Sequence, residues 1–237
     1  MNGTPIPYLL MNDTWVGILL LLCLAQSYYI FSHNHFLLWE ELKNSFSSIP
    51  RQSSEIQIQA TSSEVRYFLL LELQVCLLMA LLFMMYMQQH TPSPEYTSPL
   101  SLVHLSIFSG ILFLCFSIRT IAYLLIGWIF FDRKTTNSWV RCHFVTEILA
   151  ALIFLPAIMA GIYLNMDADQ CILIVAILLI LLKSLLFFKG IHLFLFNTFS
   201  KLYFIVYLCT LEILPLLIAI KGLLIVNDVL QLNLLKL

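Results

Sequence analysis

Six apolar stretches, each long enough to cross a lipid bilayer and separated by polar or proline-containing sequence, dominate this chain. A hydrocarbon core about 30 Å thick needs about 20 apolar residues at a helical rise of about 1.5 Å per residue. The windows run near 11–32, 66–87, 100–120, 142–164, 171–189 and 202–225. Composition excludes a soluble alternative. Of 237 residues, 61% are hydrophobic and 11% charged, whereas an ordinary soluble domain carries roughly 25% charged residues. Too little polar sequence exists to cover a water-facing exterior, so the surplus apolar surface faces lipid. The expected fold is all-α: a polytopic membrane helix bundle of about six transmembrane helices in a single domain, 1–237, with one or two interfacial amphipathic helices.

Two of the linkers are plain turns or short loops. Gln88-Gln89-His90-Thr91-Pro92-Ser93-Pro94-Glu95 has two prolines and stops any helix. Met166-Asp167-Ala168-Asp169-Gln170 is so short that the fourth and fifth spans must form an antiparallel hairpin. The third window is harder. Its apolar run continues from Leu100 to Phe131, which as one helix would be roughly 48 Å long. Even at a 40° tilt a helix uses only about 39 Å to cross the core. The expectation is one span ending near Arg119, followed by an interfacial stretch near 121–131 anchored by Tyr123 and Trp128. A second interfacial helix is expected near 36–49. There Leu38, Trp39, Leu42, Phe46 and Ile49 share one face, opposite Glu40, Glu41, Lys43 and Asn44. That face suits the membrane surface or a partner protein.

Basic residues sort by side. Lys43, Arg51 and Arg66 follow the first span, Arg133, Lys134 and Arg141 the third, and Lys189 and Lys201 the fifth. The two opposite loops carry only Glu95, Asp167 and Asp169. The positive-inside rule therefore predicts both termini on the non-cytoplasmic side. The first apolar run lacks a basic leader and a cleavage site, and reads as a retained span. The Asn2 and Asn12 sequons carry little weight, being common by chance. Six scattered cysteines have no zinc, redox or haem spacing and read as small packing residues, and Cys23 lacks the small residue that precedes a lipidated cysteine. A net charge of −1 with no basic patch excludes nucleic acid as a partner. The expected partners are the lipid bilayer and another membrane protein.

Charge inside a membrane costs about 2.5–3.5 kcal/mol on insertion scales, so each intramembrane ion marks a candidate site. Glu72 and Glu147 lie near the cytoplasmic ends of their spans, where water is close. Arg119 and Lys183 are expected to snorkel to the same interface. Glu212 sits near the middle of the last window, followed by Pro215, which loosens the helix ladder. Cys209 shares its face, and Tyr207 and Thr210 form a neighbouring polar stripe. Lys183 is the cation expected at its depth. Glu212 thus reads as helix glue or as a proton or ion site. An acid precedes the Leu-Pro steps at Leu155-Pro156 and Leu214-Pro215, a weak repeat of the kind duplicated transporters use, equally expected by chance in so leucine-rich a chain. His143 and Glu147, four apart, could face one metal, but no third ligand stands at fixed spacing. No metal, cofactor or catalytic residue is expected, and the absence of a nucleophile motif or phosphate loop makes enzyme chemistry a minority expectation.

The run Tyr207-Leu208-Cys209-Thr210-Leu211-Glu212-Ile213-Leu214-Pro215-Leu216 resembles the C-terminal signature of a Gram-negative bacterial family of small multi-pass membrane proteins, catalogued as domain of unknown function four-two-seven-one. The amphipathic segment after the first span, the pair Gly127-Trp128 and the Leu155-Pro156 step fit the same pattern. The resemblance implies a polytopic inner-membrane protein and no activity to carry over. The leading expectation is a non-enzymatic scaffold or assembly subunit of a membrane complex. The alternatives are a small transporter or proton-coupled component using Glu212, and an intramembrane enzyme acting on a lipid-like substrate.

Overall fold

In the computed structural model, residues 14–46, 62–90, 98–130, 133–164, 166–194, 214–215 and 217–227 are described. Among the described residues the chain is helical, with no strand. Five long helices follow in order: α1 (Thr14–Phe46), α2 (Ser62–His90), α3 (Ser98–Phe130), α4 (Arg133–Tyr163) and α5 (Ala168–Phe194). A shorter apolar helix, α6 (Leu217–Asn227), comes last. All five long helices are long and apolar enough to cross a membrane. Their apolar windows are Thr14–Ser32, Leu69–His90, Ser101–Leu125, Val145–Tyr163 and Ala168–Phe187. The first half of the expected sixth span lies outside the described residues; α6 occupies its second half.

Two expectations about helix ends are corrected. The segment near 36–49 is not a separate helix up to Phe46: α1 runs through it unbroken for 33 residues. No proline, and no glycine after Gly17, interrupts α1, so nothing in the backbone asks it to stop. At about 50 Å it outreaches the hydrocarbon core, and its last turns lie beyond its apolar window. Likewise α3 does not end near Arg119 but continues to Phe130. The span expected at 100–120 becomes Ser101–Leu125. The physical reason is a side-chain pairing that keeps Arg119 inside the bundle. Tyr123, assigned to the interface, is buried at 3% exposure.

The bundle is built around α2 and α4, whose apolar windows are 56% and 61% buried, against 22% for α5 and 28% for α1. α2 packs on α3, α4 and α5, while α1 lies mainly against α4. The middle of the core is close-packed and apolar: Cys23, Leu78, Leu81, Leu112, Ala151, Phe154 and Leu155 are all buried. Towards the end where α2 finishes, Phe83 and Phe108 meet edge to face at 5.1 Å, a favoured aromatic geometry. Small residues let the helices approach closely. A Cβ added at Gly161 would lie 2.6 Å from the Cys171 sulfur across the α4–α5 contact. The expected hairpin is there. Leu164 N–H donates to Ala160 O and Met166 N–H to Gly161 O to close α4. Gln89 at the end of α2 accepts the Ala168 N–H at 2.7 Å, capping α5. Outward positions such as Leu21, Leu22, Leu114, Ile118, Leu173 and Ile180 are exposed and apolar. In water so much exposed apolar surface would drive association; in lipid it is simply solvated.

Candidate functional site

The chain alternates direction through the bundle, so the ends of α1 and α3 meet the starts of α2 and α4. Contacts confirm this: Ser27 of α1 meets Gln74 of α2, and Arg119 of α3 meets Glu147 of α4. The buried polar groups concentrate at this end. Arg119 donates from an Nη to Glu147 Oε1 at 2.7 Å, with side-chain exposures of only 6% and 8%. The guanidinium also lies over the Phe116 ring, one turn back on α3, 4.8 Å from its centroid. An ion pair taken out of water is held only when geometry and further contacts offset its desolvation. Here a short charge-assisted bond and an aromatic face supply both.

A second carboxyl joins the pair. Glu72 of α2 is 2% exposed, and both Glu147 and Arg119 are close enough to act on its charge. Its Oε1 is buried and has no hydrogen-bond partner among the described residues. The centre therefore holds two carboxyl groups and one guanidinium, contributed by three different helices.

Other polar side chains lie at the same end of the bundle. On the α1 side, Gln74 Nε2 donates to Ser27 Oγ at 2.7 Å, and Gln26 Nε2 donates to the Leu70 carbonyl at 2.8 Å. Gln74 Oε1 is buried with no partner among the described residues. Tyr29 and Tyr67 approach with ring centroids 6.4 Å apart, and their hydrogen bond holds the Tyr67 phenol, just outside the α2 span, above its ordinary range. At the start of α4, His143 is buried at 7% exposure and packs on the Tyr123 ring at 4.6 Å. It precedes Glu147 by four residues, on the same helix face.

Of the side chains singled out from sequence, the structure brings Arg119 and Glu147 together, but by burying Arg119 instead of letting it snorkel. Lys183 is half-buried on α5 at the same end of the bundle. Pro215 is half-buried in the helical pair 214–215. Glu212, Cys209, Tyr207 and Thr210 lie outside the described residues, and so does any Glu212–Lys183 contact. Leu38, Trp39, Leu42 and Phe46 fall on the last turns of α1, and Ile49 is outside the described residues. The His143–Glu147 pair has other work: Glu147 binds Arg119 and the His143 ring packs, tilted, on Tyr123. Among the described residues no group of three His, Cys, Asp or Glu could hold a metal ion.

Glu72 is the group whose importance the sequence understated. Read helix by helix it is an acid near a hydrated end. The signal was there in depth: Glu72, Arg119 and Glu147 sit at the same end of three successive antiparallel spans.

Fold and site together define a helical membrane bundle with a buried, charged centre at one end. A family model described as Domain of unknown function (DUF4271) matches residues 14–223, and the chain belongs to that family. No curated protein and no solved structure matches it.

Proposed function

We propose that the protein is a proton-coupled, multi-pass component of the bacterial inner membrane, working through the Glu72–Arg119–Glu147 centre. The observation that carries this reading is a charge count. Within the three-residue centre one guanidinium balances one carboxylate, so the second carboxyl needs a proton or a further cation, whether a metal ion or the buried ammonium of Lys183 at the same end. A metal cation would need several more oxygen ligands, and the described residues offer no such cluster. A proton needs only the carboxyl itself. On this reading the chain crosses the membrane six times with both termini outside, and the basic connections place the centre towards the cytoplasm.

The test uses purified protein in mild detergent, where both ends of the bundle meet solvent. A pH step across the neutral range is followed with an indicator dye. The wild type is expected to take up about one more proton per chain than Glu72→Gln. Equal uptake by the two proteins would overturn the proposal.

A scaffold or assembly role rests on a different feature, the outer helix α5. Its crossing window is 22% buried, leaving Leu173, Ile177 and Ile180 for lipid or for a partner helix. A partner recovered in fixed stoichiometry from mild detergent favours this second reading; a lone chain that still takes up the proton favours the first.

A further inference from the structure

Building on the proton-coupled reading, we infer that protons reach Glu72 from one end of the bundle only, the end carrying the basic connections, by way of His143. Three observations carry this.

First, the charged centre is close to that end and far from the other. Glu72 and Glu147 lie in the first turn of their apolar windows, and Arg119 lies in the last two turns of its own. Second, the middle of the bundle between the centre and the opposite end is a dry layer. Leu78, Leu81, Ala151 and Phe154 are at most 1% exposed there, with Cys23, Leu112 and Leu155 filling in around them. Cores lined by such side chains exclude water, so the described residues offer no hydrated route from the centre to the buried His104 on the far side. Third, His143 stands where a relay is needed. It precedes the α4 apolar window, is almost buried, and lies one helical turn from Glu147. Packing against Tyr123 fixes its ring.

Imidazole is the side chain whose ordinary pKa best suits proton exchange near neutrality. The ring takes a proton from a hydronium ion on one nitrogen, releasing water, and gives one up from the other. It ends neutral, while the receiving carboxylate becomes a carboxylic acid. Glu147 receives first, and the proton settles on Glu72, leaving Glu147 ionised against Arg119. Among the described residues, Tyr123 of α3 packs on His143, Cys142 and Glu147 are the titratable groups nearest it on its own helix, and Arg119 of α3 and Glu72 of α2 lie at the same end. Lys183 of α5 lies at the same end.

Protein reconstituted with one orientation in liposomes tests the inference, using impermeant buffers to acidify one side at a time. The readout is the carbonyl-stretch band of a protonated carboxyl group, assigned through Glu72→Gln. The band is expected to grow when the basic side is acidified and to stay unchanged when the opposite side is. His143→Ala is expected to slow its growth by about tenfold or more without lowering its final height, and added imidazole should restore the rate. Imidazole rescue would not follow if His143 only held the fold together. His143→Gln, closer in size and polarity, guards against collapse of the alanine variant and should be slow and unrescued. Band growth from the opposite side, or wild-type rates in both variants, would overturn the inference. The proton-coupled reading fails separately, if the band never changes in detergent, where both ends are open.

Discussion

Removing the Arg119 side chain with Arg119→Leu tests the buried centre most directly. In the wild type Glu147 is ionised against a guanidinium 2.7 Å away, with both side chains under 10% exposed. Without Arg119, Glu147 must take up a proton to remain inside. Removing one partner of a buried ion pair costs roughly 3–5 kcal/mol, because the charge left behind has nothing to compensate it. The folded variant then holds one more proton than the unfolded one, so its stability rises as the pH falls. The gain is about 1.4 kcal/mol per unit and ends near the ordinary carboxyl value. Glu147→Gln should behave differently. Arginine keeps its charge at any relevant pH, and if the variant lets the Glu72 carboxyl on α2 move to the guanidinium, the loss is held to about 1–2 kcal/mol. Glu72→Gln alone should stay within about 1 kcal/mol of wild type. The double variant leaves Arg119 with no acid, and its loss should exceed the sum of the two by about 2 kcal/mol. Unfolding by SDS titration in mixed micelles at two pH values measures all four variants. Additive losses for Glu72 and Glu147, or a pH-independent Arg119→Leu, would refute the three-group centre.

Three further outcomes test the frame around it. Gly161→Ala should lose about 1–3 kcal/mol by forcing α4 from the Cys171 sulfur, and Cys171→Ala in the same chain should recover most of it; thermal melts in detergent read both. Ser27→Ala, which strands the buried Gln74 amide, should lose about 0.6–1.7 kcal/mol in the same SDS titration. A reporter fused after Gln170 should score non-cytoplasmic, and one fused within the Arg133–Arg141 connection should score cytoplasmic; the reverse would invert the proposed topology.

Much of this molecule follows from composition and run length. Apolar runs of bilayer length have few stable forms, because hydrocarbon leaves no water to satisfy the backbone. The helical bundle and the α4–α5 hairpin were legible for that reason. Helix ends were less so. Placing the end of the third span near Arg119 assumed that an apolar run longer than the bilayer turns into the interface, and placing a separate helix near 36–49 assumed that a change of amphipathicity breaks a helix. Neither holds where the backbone has no breaker and the charge has a partner.

The candidate site shows the same division. The sequence alone determined that few ionisable groups enter the membrane, and that Glu72, Arg119 and Glu147 stand at similar depths. Which of them touch depends on how each helix is rotated about its axis, and periodicity says little about rotation when every face is apolar. Only the packing of α2, α3 and α4 decided that Arg119 turns inward to Glu147, with Glu72 buried at the same end. Desolvation then makes that choice consequential, because a charge that would be nearly free at the interface must be matched once it is enclosed.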